Sequence, residues 1–136
     1  MSTQQQHTIP SASSLGNNGP YPIEAYDFVR EGLSYTSEQV HGDPETLPEI
    51  DRHVSGQQLC LGLRDFAITQ YGLLAPVVLD HWRIRRTEDF GRIVFTMIDA
   101  GLMSSTPDDT LEDFRGVFDF REAFTDDELL ADLGSN

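Results

Sequence analysis

Residues 78–104 read VLDHWRIRRTEDFGRIVFTMIDAGLMS, and the reading of this stretch decides the fold. Val77, Val78, Leu79 and Trp82 form the apolar body of one helix, and Pro76 suits its first turn, where no amide is needed. A short basic turn follows, Arg83-Ile84-Arg85-Arg86, with Ile84 as the inward anchor. Thr87 is suited to cap the next helix, and Glu88 and Asp89 complement the positive end of its dipole. Phe90, Ile93, Val94 and Met97 recur at helical spacing and define an inward face, and Gly101 supplies the stop. The outward face is then Glu88, Arg92, Phe95, Thr96 and Asp99.

Two further helices precede this pair. From Ile23 to about Tyr35, Ala25, Tyr26, Phe28, Val29, Gly32 and Leu33 fall on one face of a surface helix. Residues 41–52, with Gly42, Pro44 and Pro48, read as a loop. Ser55-Gly56-Gln57-Gln58 is a capping box that opens a helix running to Tyr71, with Gly72 closing it in the left-handed conformation. Leu59, Leu63, Phe66 and Ala67 form its main face. Leu61 and Ile68 form a second stripe nearly opposite, the mark of a central helix or an interface.

Beyond Gly101 the turn-prone Thr106-Pro107-Asp108-Asp109 leads into residues 111–120, where Phe118 and Phe120 stand at strand spacing. The reading is a short hairpin, with a helical turn at 111–114 as its alternative. Thr125-Asp126-Asp127-Glu128 is a second capping box, ahead of Leu129, Leu130 and Leu133. It predicts a short acidic helix that either docks on a groove with a basic rim or folds back against Arg85 and Arg86. The expected architecture is mainly α. It has four main helices, a wing-like β-hairpin after helix four, a disordered tail over 1–20, one helical domain over 21–124 and an acidic terminal helix and tail over 125–136.

Charge narrows the function. All nine basic residues are arginine, against 23 acids, for a formal net charge of -14. Residues 106–136 hold ten acids and two arginines, whereas residues 81–92 hold four arginines and only Glu88 and Asp89. Such acidity opposes contact with phosphate backbones. Residues 1–20 carry no charged side chain and have neither the basic nor the apolar region of a signal peptide. No apolar run reaches the length of a membrane span. The sole cysteine, Cys60, lies among leucines and reads as a buried thiol, which fits a cytoplasmic protein.

Two resemblances add to this. The body from Ala25 to Phe124 resembles a bacterial protein family of unassigned activity found chiefly in planctomycetes and verrucomicrobia. The residues that carry it include Ala25-Tyr26-x-Phe28-Val29, Leu33-x-Tyr35-Thr36 and Arg52-His53-Val54-Ser55-Gly56. Further on they are His81-Trp82-x-Ile84-Arg85-x-Thr87-Glu88-Asp89-Phe90-Gly91, Ile93-Val94-Phe95, Ala100-Gly101-Leu102 and Asp113-Phe114. Position 83 departs from it, with Arg where Gly is expected, so a turn of positive φ there must be tolerated by Arg. The stretch from Val77 to about Phe120 is also similar to winged-helix domains, through its helix–turn–helix and the Ala100-Gly101-Leu102 stop. That likeness implies a nucleic-acid-binding regulator with helix four in the major groove.

The candidate binding residues are Arg83, Arg85, Arg86 and Arg92, the outward Phe95, and the pair Arg52 and His53 ahead of the Ser55 cap. Arginine holds carboxylate or phosphate bidentately. The bland alternative is pairing with Asp80, Glu88, Asp89 or the acidic tail. Phe95 is an exposed anchor or is covered by the wing or the terminal helix. Arg52 and His53 either hold an anion at the free amides of a helix start or join a loop salt bridge. His81 reads as partly buried and hydrogen-bonded. No histidine has the spacing of a metal motif, and no nucleophile has a base nearby, so no catalytic residue and no cofactor is implied. The leading expectation is a non-catalytic interaction or scaffolding module that meets another protein or itself. The alternatives are a nucleic-acid-binding regulator and a small enzyme using His53 or His81.

Overall fold

Pro22 precedes helix α1, Ile23–His41, and its carbonyl accepts from the Ala25 amide at 3.0 Å in this computed structural model. The structure describes residues 20–42, 53–103 and 109–125. The expected tail up to residue 19, most of the 41–52 loop, residues 106–108 of the expected turn and the acidic helix after Thr125 lie outside the described residues, as does Arg52.

Helix α1 runs six residues past the expected Tyr35, and its contacts with the next helix fall between Phe28 and Thr36. Thr36 is buried, and its hydroxyl donates to the Gly32 carbonyl at 2.7 Å, which satisfies a polar group that has no water to turn to. Helix α2, Gly56–Tyr71, crosses there so closely that a Cβ on Gly62 would overlap the Thr36 side chain, and one on Gly32 would overlap Leu63. The Ser55 capping box forms as read. The Gln58 amide donates to Ser55 Oγ at 3.1 Å and the Ser55 amide to Gln58 Oε1 at 2.9 Å. Gly72 has the expected positive φ of 55°, but its ψ of -129° lies outside the left-handed helical well. The two-sided reading of α2 resolves unevenly: Ile68 is buried in the core and Leu61 is exposed.

A 3₁₀ turn, Gly72–Leu74, leads into α3, Ala75–His81, with Pro76 in its first turn. Leu73, Leu74 and Val77 remain exposed. Helix α3 ends in a six-to-one closure. The Ile84 amide donates to the Leu79 carbonyl and the Arg83 amide to that of Asp80, both at 2.9 Å. This motif requires its middle residue to be left-handed. Arg83 fills that place at φ 66° and is the only non-glycine residue of positive φ among the described residues. Ile84 and Leu79, which the closure brings together, are both fully buried.

Helix α4, Thr87–Asp99, buries Phe90, Ile93, Val94 and Met97 as its spacing predicts. It ends in the same closure, with Gly101 at φ 80° and the Leu102 amide on the Met97 carbonyl at 2.8 Å. Its start differs from expectation. Thr87 does not cap it; Asp89 does, accepting from the Arg85 and Arg86 amides at 2.9 and 3.2 Å.

The hairpin is a correction, and with it the wing. No strand occurs among the described residues. Leu111–Phe114 is a 3₁₀ turn and Phe120–Ala123 a one-turn helix, α5. The buried ring of Phe114 is wedged between two helices, against Gly56 of α2 and Gly91 of α4, where a Cβ on either glycine would strike residues 113 or 114. The Thr87 hydroxyl donates to the Phe114 carbonyl at 2.6 Å and accepts from the Val117 amide at 3.2 Å. The backbone groups a hairpin would pair across strands are therefore held by a helix side chain. Gly116, at φ 57°, turns the chain between them and Phe118.

The core divides into two aromatic groups. Phe28 meets Phe66 and Trp82 at 5.3 and 5.5 Å between ring centroids, and Tyr71 stands edge-on to Trp82. On the other side Phe90 packs on Phe120, which also meets Phe118 and Phe124.

A candidate binding cleft beside the arginine-rich turn

The four arginines singled out in and after the turn do not act together. Arg83 donates from Nη1 to the Pro20 carbonyl at 2.6 Å and so ties down the chain entering α1. Arg85 pairs from Nε with Asp80 at 2.8 Å, in an exposed contact of the kind worth little to stability. Arg92 pairs with Asp89 at 2.8 Å. The Arg86 side chain forms no ion pair among the described residues.

Asp89 is the buried hub beneath them. Besides the two amides and Arg92, it accepts from the Tyr21 hydroxyl at 2.6 Å. Burial, reinforced by that carboxylate, pushes the Tyr21 hydroxyl up to about 12, so it remains a donor at neutral pH. The hub is structural: every oxygen it offers is engaged.

Two of these arginines also meet a different element. Arg85 and Arg86 form one side of an open cleft of about 520 Å³, and Gly116, Phe118, Asp119, Phe120 and Arg121 form the other. Phe118 and Phe120 lie nearly parallel, 5.3 Å apart and inclined by 20°. Phe120 is anchored below by Phe90 at 5.9 Å. Asp119 is engaged at the start of α5, where its Oδ1 accepts from the Arg121 amide at 2.8 Å. The Arg121 side chain, like that of Arg86, has no ion-pair partner among the described residues. The cleft therefore presents two unengaged guanidinium groups and a third held by an exposed carboxylate, over a pair of aromatic faces. Such a surface takes carboxylates bidentately and apolar side chains against the rings.

The remaining sequence candidates fall elsewhere. Phe95 is half-buried, with the Phe114 ring edge-on to it at 6.2 Å and 86°. His53 joins Asp109, Nε2 to Oδ1, at 3.0 Å, and its carbonyl accepts from His41 Nε2 at 2.6 Å. At the helix start next to it, Asp113 and Phe114 pack against Gly56, and the capping box engages the Ser55 and Gln58 amides. His81 is exposed rather than partly buried. Cys60 is fully buried, and burial together with the Glu88 carboxylate pushes its thiol up to about 12. No group of three or more metal-ligating side chains occurs among the described residues.

Sequence reasoning missed Arg121 and the Phe118–Phe120 pair. Their signal was present as Phe-Asp-Phe-Arg, but the alternation was read as strand pairing rather than as two rings stacking on one side. No family model, curated protein or solved structure matches the chain, so the resemblances rest on the quoted residues alone.

Proposed function

We propose that the chain is a non-catalytic protein-interaction module and that the cleft between Arg85–Arg86 and Phe118–Arg121 is its contact surface. The observation that carries this reading is the pairing of unengaged Arg86 and Arg121 with the stacked, anchored rings of Phe118 and Phe120. Arginine and aromatic side chains dominate the energetics of protein contacts when they stand together in a concave site. The partner segment is acidic and apolar by complementarity. A nucleic-acid ligand is disfavoured by the charge around the site: Glu88 and Asp99 flank Arg92 on the outward side of α4, and Arg92 is already neutralised by Asp89. No described helix is long and apolar enough to cross a membrane. A cytoplasmic setting is part of this proposal, and the single buried thiol is compatible with it.

The test is recovery of partners from the native host at low salt, with the wild-type chain and with Arg86→Glu/Arg121→Glu. The wild type is expected to retain a stoichiometric protein that survives nuclease treatment, and the variant to lose it. Recovery of the same proteins with both chains, or loss of the partner on nuclease treatment, overturns the reading.

A further inference from the structure

We infer that the cleft is occupied, in the isolated chain, by the chain's own residues 126–136, DDELLADLGSN. The inference rests on the cleft being the contact surface proposed above and names its first ligand. Three observations carry it.

The first is position. Described residues end at Thr125, four residues after Arg121 and two after the end of α5. Phe120 and Arg121 of that helix line the cleft themselves. Five further residues span at most about 17 Å when extended, enough to carry Leu129 and Leu130 back over α5.

The second is charge. Residues 126–136 contain Asp126, Asp127, Glu128 and Asp132 and no basic residue. The cleft offers Arg85, Arg86 and Arg121 against Asp119, whose carboxylate already serves the Arg121 amide. Asp80, the exposed partner of Arg85, is readily exchanged for another carboxylate.

The third is apolar complementarity. Leu129, Leu130 and Leu133 are spaced one and four residues apart, so one turn of helix or one bend presents two of them to the Phe118 and Phe120 rings. Tethering supplies the rest: a short linker gives an effective concentration of about 1 mM. A contact that would be only about 0.1 mM between separate molecules is then roughly tenfold in favour of the bound form. An external acidic segment has to displace this one, so the module is self-occluded.

Two measurements on the full-length chain test this. Thermolysin cleavage at Leu129–Leu130 is expected to be about tenfold slower in the wild type than in Arg86→Glu/Arg121→Glu, because proteolysis follows the population of the open form. Both substituted side chains are exposed, and circular dichroism and Tm verify that the fold is retained. Rates within twofold of each other overturn the inference. In the second measurement a fluorescein-labelled peptide of residues 126–136 is titrated into the wild type and into Asp126→Asn/Asp127→Asn/Glu128→Gln/Asp132→Asn. The neutral-tail variant is expected to bind at least tenfold more tightly than the wild type, with affinity falling as salt rises. Equal binding by both chains overturns self-occlusion while leaving the interaction reading standing. No binding by the neutral-tail variant up to millimolar peptide removes the acidic–leucine preference of the cleft itself.

Discussion

Arg83 carries a backbone conformation that suits glycine, and it holds Pro20 by its side chain. The two roles separate by substitution. Left-handed φ costs a side-chain-bearing residue on the order of 1 kcal/mol relative to glycine. Arg83→Gly is therefore expected to leave stability unchanged or raise it by up to about 1 kcal/mol, since the released strain outweighs an exposed hydrogen bond. Arg83→Ala keeps the strain, loses the bond and is expected to be less stable than the parent. Denaturant midpoints of the three chains decide this, and a destabilised glycine variant contradicts the strain assignment. The Asp89 hub is the opposite case, a polar group whose partners are all in place. Asp89→Ala strands two backbone amides and the Tyr21 hydroxyl, at a cost of about 3 kcal/mol, whereas Tyr21→Phe removes one bond to a charged acceptor and costs about 1.5 kcal/mol. Denaturation at neutral pH measures both costs. The positive φ at position 83 was anticipated only through the family resemblance, which sets Gly where this chain has Arg. Asp89 was legible only as a favourable first-turn charge, since its burial depends on Tyr21, far away in the chain.

At the scale of elements, what could be read from sequence tracks how local the cause is. The Ser55 box, the Pro76 start, the Gly101 stop and the inward face of α4 are each decided within about one turn of chain. The failure of the hairpin is decided by Gly56 and Gly91. Neither glycine announces its partner. Phe114→Ala is expected to cost about 3–4 kcal/mol through the vacated space and to release residues 109–118 from α2 and α4. Gly62→Ala, with its new methyl inside the Thr36 side chain, is expected to cost about 3 kcal/mol. Thermal denaturation measures both costs, and hydrogen exchange at Val117 reports the first. A Phe114→Ala variant that leaves Val117 protected refutes the wedge. The cleft was half legible for the same reason. Its arginines stood out as a run, whereas its aromatic floor depends on how the chain turns at Gly116.

For the whole molecule the titrating groups set an alkaline limit. Cys60 and Tyr21 are both held protonated to about pH 12 in the folded chain, against ordinary values of 9 and 10. A raised pKa means the unfolded chain releases the proton first. The stabilisation is therefore complete below pH 9 and is lost as pH rises toward 12, through Cys60 from about 9 and through Tyr21 from about 10. Each group contributes up to about 1.4 kcal/mol per pH unit within its window. Denaturation midpoints at pH 8, 9, 10 and 11 are expected to fall with increasing steepness, and Tyr21→Phe/Cys60→Ala to flatten the curve. A parent as stable at pH 11 as at pH 8 contradicts the burial of both groups. At pH 8 the Cys60 thiol is expected to react with a disulfide reagent only as fast as the chain opens.

The seat of Phe114 has a consequence for descent. A large ring at 114 is possible only while positions 56 and 91 lack a Cβ, and two glycines facing an empty seat leave a hole in the core. The three positions are therefore expected to change together. Related chains should keep Phe with both glycines or exchange all three for small side chains together, and a lineage that alters one alone should carry a compensating change at another.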